Sequence, residues 1–335
     1  MYRNFQLLDL AKHNMVRHHI ITNDLEFHLE FLRGIKNRVV DEKFLYLGSN
    51  AKRYYENMRN LAKNAPDEVP STGEMLKEIT SSIIPSRSTA YISVGCGNSQ
   101  MDAEIVSALM QKVKKIEYFG VDSSRSMLQM SEENVKGMPF DSSLIVADFM
   151  SRSFANEIKI FTKDFDQRVF VFWDNTIGNM SQTACVDSLY NIMEKNDIIV
   201  LEVSLRDGVS KEDEIRTFKK YISLFDIENE KMRDFLHYPL KKIDLEKDIG
   251  KLIVESFYED SVGAVGAKYS FEMMKPKTIT FRNEVLHFLP PERISILELR
   301  RYNDAKFIEY FEGHDFGLKS SLIKEKRGLF TFERF

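Results

Sequence analysis

The sequence contains little cysteine and no long apolar run. Its two cysteines, Cys96 and Cys185, are too few for a disulfide framework and lack the paired spacing of a structural zinc site. Charges interrupt the apolar residues of the N-terminal segment, which argues against a signal peptide or a membrane-spanning helix. A soluble protein of the reducing cytoplasm is therefore expected, with no metal and no membrane partner.

A marked excess of charge of either sign is also missing. The chain has 47 Lys and Arg residues against 51 Asp and Glu residues, and the formal net charge is -4. Such a balance offers no general attraction for a phosphate backbone, so no nucleic-acid partner is expected. The 335 residues, 43% of them hydrophobic, can bury a large core. This length suggests two domains, or one domain with an insertion.

The hydrophobic pattern of the chain changes along its length. From Phe5 to about Ile79 the apolar residues recur at helical spacing, which predicts an N-terminal helical cap over residues 1–80. Between Thr89 and Leu205, helical stretches alternate with the short apolar runs AYISV, YFGV, SLIVA, RVFVFW and DIIVLEV. Such runs are typical of parallel strands covered on both faces. Residues 81–210 are therefore predicted to form a doubly wound, Rossmann-like α/β core.

The remainder of the chain is predicted to complete this core. Residues 211–265 are charged and helical in pattern, as in KEDEIRTFKKYISLF, and predict an inserted helical lid. Residues 266–335 are predicted to add the last strands of the sheet. Within them, YSFEMM, KTITFRNEVLHFL, KFIEYFE and FTFERF are predicted as strands, and PPERISILELRRY as a helix opened by proline. The sheet is then mostly parallel with an antiparallel end.

Two motifs at the ends of the first two core strands are typical of a nucleoside site. Gly95, Cys96 and Gly97 follow the first strand and precede a helix, where glycine allows a tight turn and a close approach to a ligand. A lone pair of glycines also fits an ordinary strand-to-helix turn. Asp122, followed by Ser123, ends the second strand and can accept both hydroxyls of a ribose, or cap the next helix.

The end of the third strand extends this pattern to an adenosine. Asp148 offers a carboxylate to an adenine amino group, and Phe149 offers a ring to pack on the base. Gln100 stands where a dinucleotide fingerprint has its third small residue, which argues against the pyrophosphate of a nicotinamide cofactor. S-adenosylmethionine (SAM) has no pyrophosphate, and it is therefore the predicted cofactor.

The polar loop after the fourth strand is the candidate reaction site. That strand ends at Trp173, an expected cofactor contact, and runs into the segment Asp174–Asn179. The same residue types also begin helices. We expect Asp174, Asn175 and Asn179 to orient the substrate and to assist proton transfer, because methyl transfer depends mainly on alignment.

These motifs, and above all the sequence NTIGN at residues 175–179, resemble the histidine-specific SAM-dependent methyltransferases, which make N-alpha-trimethylhistidine. The resemblance implies a class I methyltransferase fold with a seven-stranded sheet, SAM as cofactor and a small-molecule methyl acceptor. It implies SAM contacts at Tyr46, Gly95, Asp122, Asp148 and Phe149. It also implies an amino-acid substrate near Asp174, Asn175 and Asn179.

Two departures from the family pattern bear on the acceptor. Leu289 and Pro291 align with a glutamate and a serine that read the imidazole in the family, and neither side chain forms hydrogen bonds. The expected acceptor is therefore an amine of an amino acid or an amino-acid-like metabolite, with histidine itself in doubt. The alternatives are a protein or nucleic-acid methyltransferase, or a noncatalytic SAM-binding protein. Nucleic-acid methyltransferases that act on amino groups usually have Asp or Asn followed by Pro-Pro-aromatic after the fourth strand. Here Asp174-Asn175 is followed by Thr-Ile, which argues against that class of enzyme.

Overall fold

A computed structural model describes residues 14–22, 24–48, 70–206, 227 and 229–335. In chain order the strands are β1 Val16–Ile20, β2 Ser88–Val94, β3 Lys115–Asp122, β4 Asp141–Val146, β5 Gln167–Phe172, β6 Ile198–Ser204, β7 Gly250–Glu259, β8 Ala264–Met273, β9 Lys277–Phe281, β10 Glu284–Phe288, β11 Arg293–Tyr302, β12 Phe316–Lys324 and β13 Arg327–Arg334. The α-helices in these ranges are α1 Asp24–Lys36, α2 Thr72–Ser82, α3 Gln100–Leu109, α4 Arg125–Val135, α5 Arg152–Phe161, α6 Gln182–Ile192, α7 Glu230–Lys241 and α8 Asp304–Glu312. None of these helices has both the length and the apolar character needed to cross a membrane.

The central sheet has the strand order β1-β4-β3-β2-β5-β6-β13-β12. The pairs from β1 to β6 are parallel, and β13 and β12 add an antiparallel end. Every residue of β2, β5 and β6 is buried, as the apolar runs of the sequence predict for strands covered on both faces. The predicted Rossmann-like α/β core is confirmed.

The predicted count of seven strands and the wholly helical N-terminal cap are wrong, because β1 adds an eighth strand. Val16 to Ile20 pair in parallel with Ser142 to Val146 at the edge of the sheet. A five-residue segment is too short to show a clear hydrophobic period, and the unpaired edge of β4 supplies the partner that decides its conformation. Helix α1 and a short 3-10 helix at Glu42–Tyr46 agree with a cap that is otherwise helical.

The predicted division after residue 210 is wrong in part. Residues 207–226, including the whole of the predicted amphipathic helix, lie outside the described residues. Helix α7 is present, but residues 250–259 form a strand of a second, antiparallel sheet with the order β11-β8-β7. This sheet, the β9–β10 hairpin, α1 and α7 share a hydrophobic core of their own. Only β12 and β13 complete the central sheet.

Two elements near the C-terminus differ from their predicted secondary structure, one predicted as a helix and the other as a strand. Residues 293–302 were expected to be a helix, but they pair along β8, and this pairing overrides the local signal of the preceding prolines. Residues 306–312 were expected to be a strand, but they lie in α8. Phe307 and Phe311 are both buried four residues apart, and the Asn303 side chain accepts a hydrogen bond from the Lys306 backbone, which caps the helix.

Candidate active site

The carboxyl ends of β2, β3, β4 and β5 meet at one edge of the central sheet. In the strand register Val94 lies beside Val121, and Asp122 lies beside Val146. On the other side of β2, Ser93 lies beside Val171 of β5. The four motifs that follow these strands are therefore neighbours in space, although the sequence spreads them from Gly95 to Asn179.

The glycine loop after β2 is fitted closely against its neighbours. Gly95 and Gly97 both have positive φ angles, 66° and 54°. A Cβ atom on Gly95 would lie 2.8 Å from Cγ2 of Thr176, in the loop after β5. The backbone N–H groups of Gly95 and Cys96 both donate to the Val121 carbonyl. The Cys96 thiol is buried, so this loop offers its backbone to a ligand more readily than that side chain.

Asp122 ties the glycine loop to the start of α4. Its Oδ2 accepts a hydrogen bond from the Gly97 N–H at 3.1 Å, and its Oδ1 accepts one from the Ser124 N–H at 2.8 Å. Burial raises the pKa of the Asp122 carboxyl to about 6, although both backbone hydrogen bonds favour the ionised form. A carboxylate has further lone pairs in addition to these two bonds, and they are available to ligand hydroxyls.

A cavity of about 610 Å³ lies beside the start of α4, and its lining includes the residues that follow Asp122 but not Asp122 itself. One wall is the start of α4, from Ser123 to Ser126, and another is formed by Asp24, Phe27 and Gly48 of the N-terminal segment. Arg125 forms an ion pair with Asp24 at 3.0 Å, and the Ser126 hydroxyl donates to the Gly48 carbonyl at 3.3 Å. Of the residues predicted to bind the cofactor, Ser123 lines this cavity.

Tyr46 packs against the same helix, α4. Its ring packs against Met127 and Met130 of α4, and its centroid is 5.4 Å from that of Phe235 in α7. The structure therefore places Tyr46 against α4, and its contact with SAM stays a prediction.

Asp148 has a partner that the sequence did not reveal. Its Oδ2 accepts a hydrogen bond from Lys43 Nζ, and Lys43 also contacts Glu30 Oε2 at 2.8 Å. Burial lowers the pKa of Lys43, but the charges of Asp148 and Asp41 outweigh burial and raise it. Local pattern gives no signal for this contact, because Lys43 lies 105 residues before Asp148.

Phe149 and Trp173 are packed into the protein interior. The Phe149 ring meets the Phe172 ring edge to face with centroids 5.4 Å apart. The Trp173 indole N–H donates to Asp102 Oδ1 at 2.7 Å. Asp102 also accepts hydrogen bonds from Tyr91, Ser93 and Tyr118, in a buried network beneath the glycine loop that the sequence analysis missed.

The loop after β5 is held by the side chain of Asn175. Asp174 and Asn175 have positive φ angles of 52° and 61°. Asn175 Oδ1 accepts from the Ser204 N–H at 2.9 Å, and its Nδ2 donates to the Arg300 carbonyl at 3.2 Å. The amide thus links the loop to β6 and β11. Asp174 is exposed and Asn179 is half-buried, so both remain accessible to a ligand.

Glu202 is a buried carboxylate beneath this loop, and it belongs to none of the motifs described above. Its Oε2 accepts a hydrogen bond from the Asp174 N–H at 3.1 Å. Burial and the Asp174 charge raise the pKa of Glu202 to about 7, against the opposing effect of Arg327. The signal in the sequence was one acidic residue within the apolar run DIIVLEV.

A family model described as histidine-specific methyltransferase, SAM-dependent, matches residues 68–332, which is more than half of the chain. The match includes every candidate site residue except Tyr46. A comparison with curated protein sequences finds no match.

Several solved structures are similar to this one at low sequence identity. DesVI from Streptomyces venezuelae is 14% identical over 79% of this chain and 90% of its own, with a TM-score of 0.38. The PH0226 protein from Pyrococcus horikoshii is 11% identical over 86% of this chain and 93% of its own, with a TM-score of 0.41. SAM-bound CalS10, an amino pentose methyltransferase from Micromonospora echinaspora, is 10% identical over 79% and 90%, with a TM-score of 0.37.

Proposed function

This chain belongs to the family of histidine-specific, SAM-dependent methyltransferases, and from that premise we propose that it methylates the amine nitrogen of an amino acid or an amino-acid-like metabolite. SAM supplies an electrophilic methyl group on a positively charged sulfur. The residues of this chain bind the two reactants, align them and take up the proton that the amine loses.

The observation that carries the cofactor site is the Asp122 carboxylate, which lies between the glycine loop and the start of α4, the helix that lines the cavity. It already holds the glycine loop and the start of α4 in place through two backbone hydrogen bonds. We assign its remaining lone pairs to the ribose hydroxyls, and the backbone of Gly95 to Gly97 to close contact with the cofactor. Asp148 is the proposed partner of the adenine amino group, through lone pairs that its contact with Lys43 leaves unused.

The acceptor site is proposed over the loop after β5. Thr176 of this loop lies against Gly95, so the loop borders the glycine loop that holds the methyl donor. Asp174 and Asn179 are the residues proposed to contact the amine. Asn175 is proposed as a positioning residue, because both ends of its amide already bond the backbone.

Histidine is not the acceptor that these residues favour most. Leu289 and Pro291 are both exposed, in the turn that leads into β11. The Glu292 N–H donates to the Leu289 carbonyl at 2.7 Å, and Arg38 pairs with Glu292 beside it. The apolar side chains of Leu289 and Pro291 cannot form hydrogen bonds with an imidazole. We therefore propose that the protein recognises the amino-acid amine without a histidine-specific contact.

The proposal includes a cytoplasmic location and a small-molecule acceptor in place of nucleic acid. Both cysteines are free thiols buried in the structure, as suits a reducing compartment. The net charge of -4 supplies no general attraction for a nucleic acid.

The first test is calorimetric titration with SAM, S-adenosylhomocysteine and NAD. We expect SAM and S-adenosylhomocysteine to bind and NAD not to bind, Asp122→Ala to abolish SAM binding, and Asp187→Ala, on the exposed face of α6, to leave it unchanged. The protein is then incubated with SAM and each common amino acid or a set of small amines, and products are identified by mass spectrometry. Binding of NAD but not SAM, or SAM binding with no methylated amine, would contradict the proposed function.

A further inference from the structure

Glu202 is a buried carboxylate that has no role in the proposed cofactor site. It lies inside β6, where it is 0% exposed, among residues that are all buried. Its Oε1 has no hydrogen-bond partner among the described residues. The cation that faces it, Nη1 of Arg327, is 3.6 Å away, which is beyond a good hydrogen bond. An ionised carboxylate in this setting is costly, so its presence calls for a function.

The other oxygen of Glu202 points to the proposed acceptor site. Glu202 Oε2 accepts the backbone N–H of Asp174, the exposed acidic residue at the start of the loop. The charged groups that act on Glu202 are Asp174, which disfavours its ionisation, and Arg327 on β13, which favours it. Two interacting carboxylates bind protons as a pair, and one of them is held away from water.

We propose that Asp174 and Glu202 form a proton-accepting pair for the acceptor amine, with Asp174 in contact with the amine and Glu202 acting through it. This inference rests on the proposed function. The N–H bond of the substrate ammonium breaks and its proton passes to the pair. The freed lone pair of nitrogen forms the N–C bond to the methyl group, the C–S bond breaks, and its electrons return to sulfur to give S-adenosylhomocysteine.

The role of Glu202 is to make the pair receptive to a proton near neutral pH. A negative charge beneath Asp174 favours proton uptake by the pair, whereas a protonated Glu202 removes that charge. Because burial and the Asp174 charge raise the pKa of Glu202 to about 7, the pair gains this charge as pH rises through neutrality. Methyl transfer is therefore expected to accelerate over the same interval.

The test is the pH profile of kcat/KM for the wild-type protein and Glu202→Gln between pH 6 and pH 9. Glutamine keeps an oxygen that can accept the Asp174 N–H, so the loop is retained while the charge is lost. We expect Glu202→Gln to lose about tenfold or more of the activity at pH 7 and much less at pH 9, where the amine deprotonates unaided. The matched control is Glu117→Gln, a buried glutamate of β3 bonded to Arg17 and Ser143, which is expected to keep the wild-type profile.

The outcomes separate a proton-accepting pair from a merely structural contact. If Glu202→Gln lowers the activity by the same factor at every pH, or does not lower it, the inference is overturned. Should Glu202→Gln fail to fold, Asp174→Asn removes the exposed partner and is expected to show the same pH-dependent loss. An unaltered profile in Asp174→Asn overturns the inference. Wild-type protein that binds SAM but methylates no amine contradicts the proposed function, and this inference with it, whereas turnover with an unaltered profile contradicts this inference alone.

Discussion

At the scale of single residues, the proposed role of Asp122 predicts that cofactor binding depends on pH. Its carboxyl must be ionised to accept two ribose hydroxyls, and burial raises its pKa to about 6. A ligand that binds the ionised form is bound fully above this value and loses affinity as pH falls through it. We expect the Kd of SAM, measured by calorimetry between pH 5 and pH 7, to rise by up to about tenfold per pH unit below pH 6.

The substitution Asp122→Asn tests the origin of this dependence. The variant is expected to bind SAM weakly, with an affinity that changes little between pH 5 and pH 7, because asparagine does not titrate. A variant that keeps the wild-type slope shows that another group is responsible.

The candidate residues whose place at one edge of the sheet could be predicted are those that follow a strand end. Asp122, Asp148 and Asp174 each come directly after a buried apolar run, and parallel strands bring such positions to one edge. Lys43 and Asp102 escaped prediction because their partners are distant in the sequence. The interior positions of Phe149 and Trp173 also escaped prediction, because a strand end fixes a backbone position but not the packing of its side chain.

At the scale of elements, the glycine loop depends on its contact with the loop after β5. Alanine at Gly95 must adopt a φ of 66° and places its Cβ 2.8 Å from Thr176. We expect Gly95→Ala to lower the free energy of unfolding by roughly 1–2 kcal/mol and to weaken SAM binding, because the two loops must separate. Urea unfolding and calorimetry measure the two effects.

Gly137→Ala is the matched control for this substitution. Gly137 also has a positive φ, 84°, but an added Cβ meets nothing within 4 Å. It is expected to lose stability from backbone strain alone and to bind SAM as the wild-type protein does. Equal losses of SAM affinity in the two variants contradict a specific contact between the loops.

Elements were predicted best where pattern and tertiary pairing agree. The buried runs of β2 to β6 are typical of a covered parallel sheet, so their type follows from the sequence. Strand β11 and helix α8 have mixed patterns rich in Ile, Phe and Tyr, for which the neighbouring strand or core decides the type. The second sheet could not be predicted for this reason.

At the scale of the whole molecule, Lys43 joins two separately packed bodies. The core shared by α1, α7 and the second sheet is distinct from the cores on the two faces of the central sheet. Lys43 follows α1 in the chain and reaches Asp148 after β4, with 10% of each side chain exposed. We expect Lys43→Met to lower the free energy of unfolding by roughly 3 kcal/mol, because it leaves the Asp148 carboxylate without its cation.

Thermal unfolding of a surface variant provides the comparison for Lys43→Met. Lys275 pairs with Asp248 across 3.5 Å, but 61% and 73% of their side chains are exposed. Lys275→Met is expected to change stability little. A comparable loss in both variants shows that the ion pair of Lys43 does not join the two bodies.

Strand β1 has a further consequence for the behaviour of the chain in a crowded solution. It covers the hydrogen-bonding edge of β4 with five residues, and its Arg17 forms an ion pair with Glu117 two strands away. An uncovered β4 would offer a template to which a second chain could add a strand. Strand β1 then forms the edge itself, but it is only five residues long and carries Arg17, His18 and His19, features that disfavour the addition of a strand from a second chain.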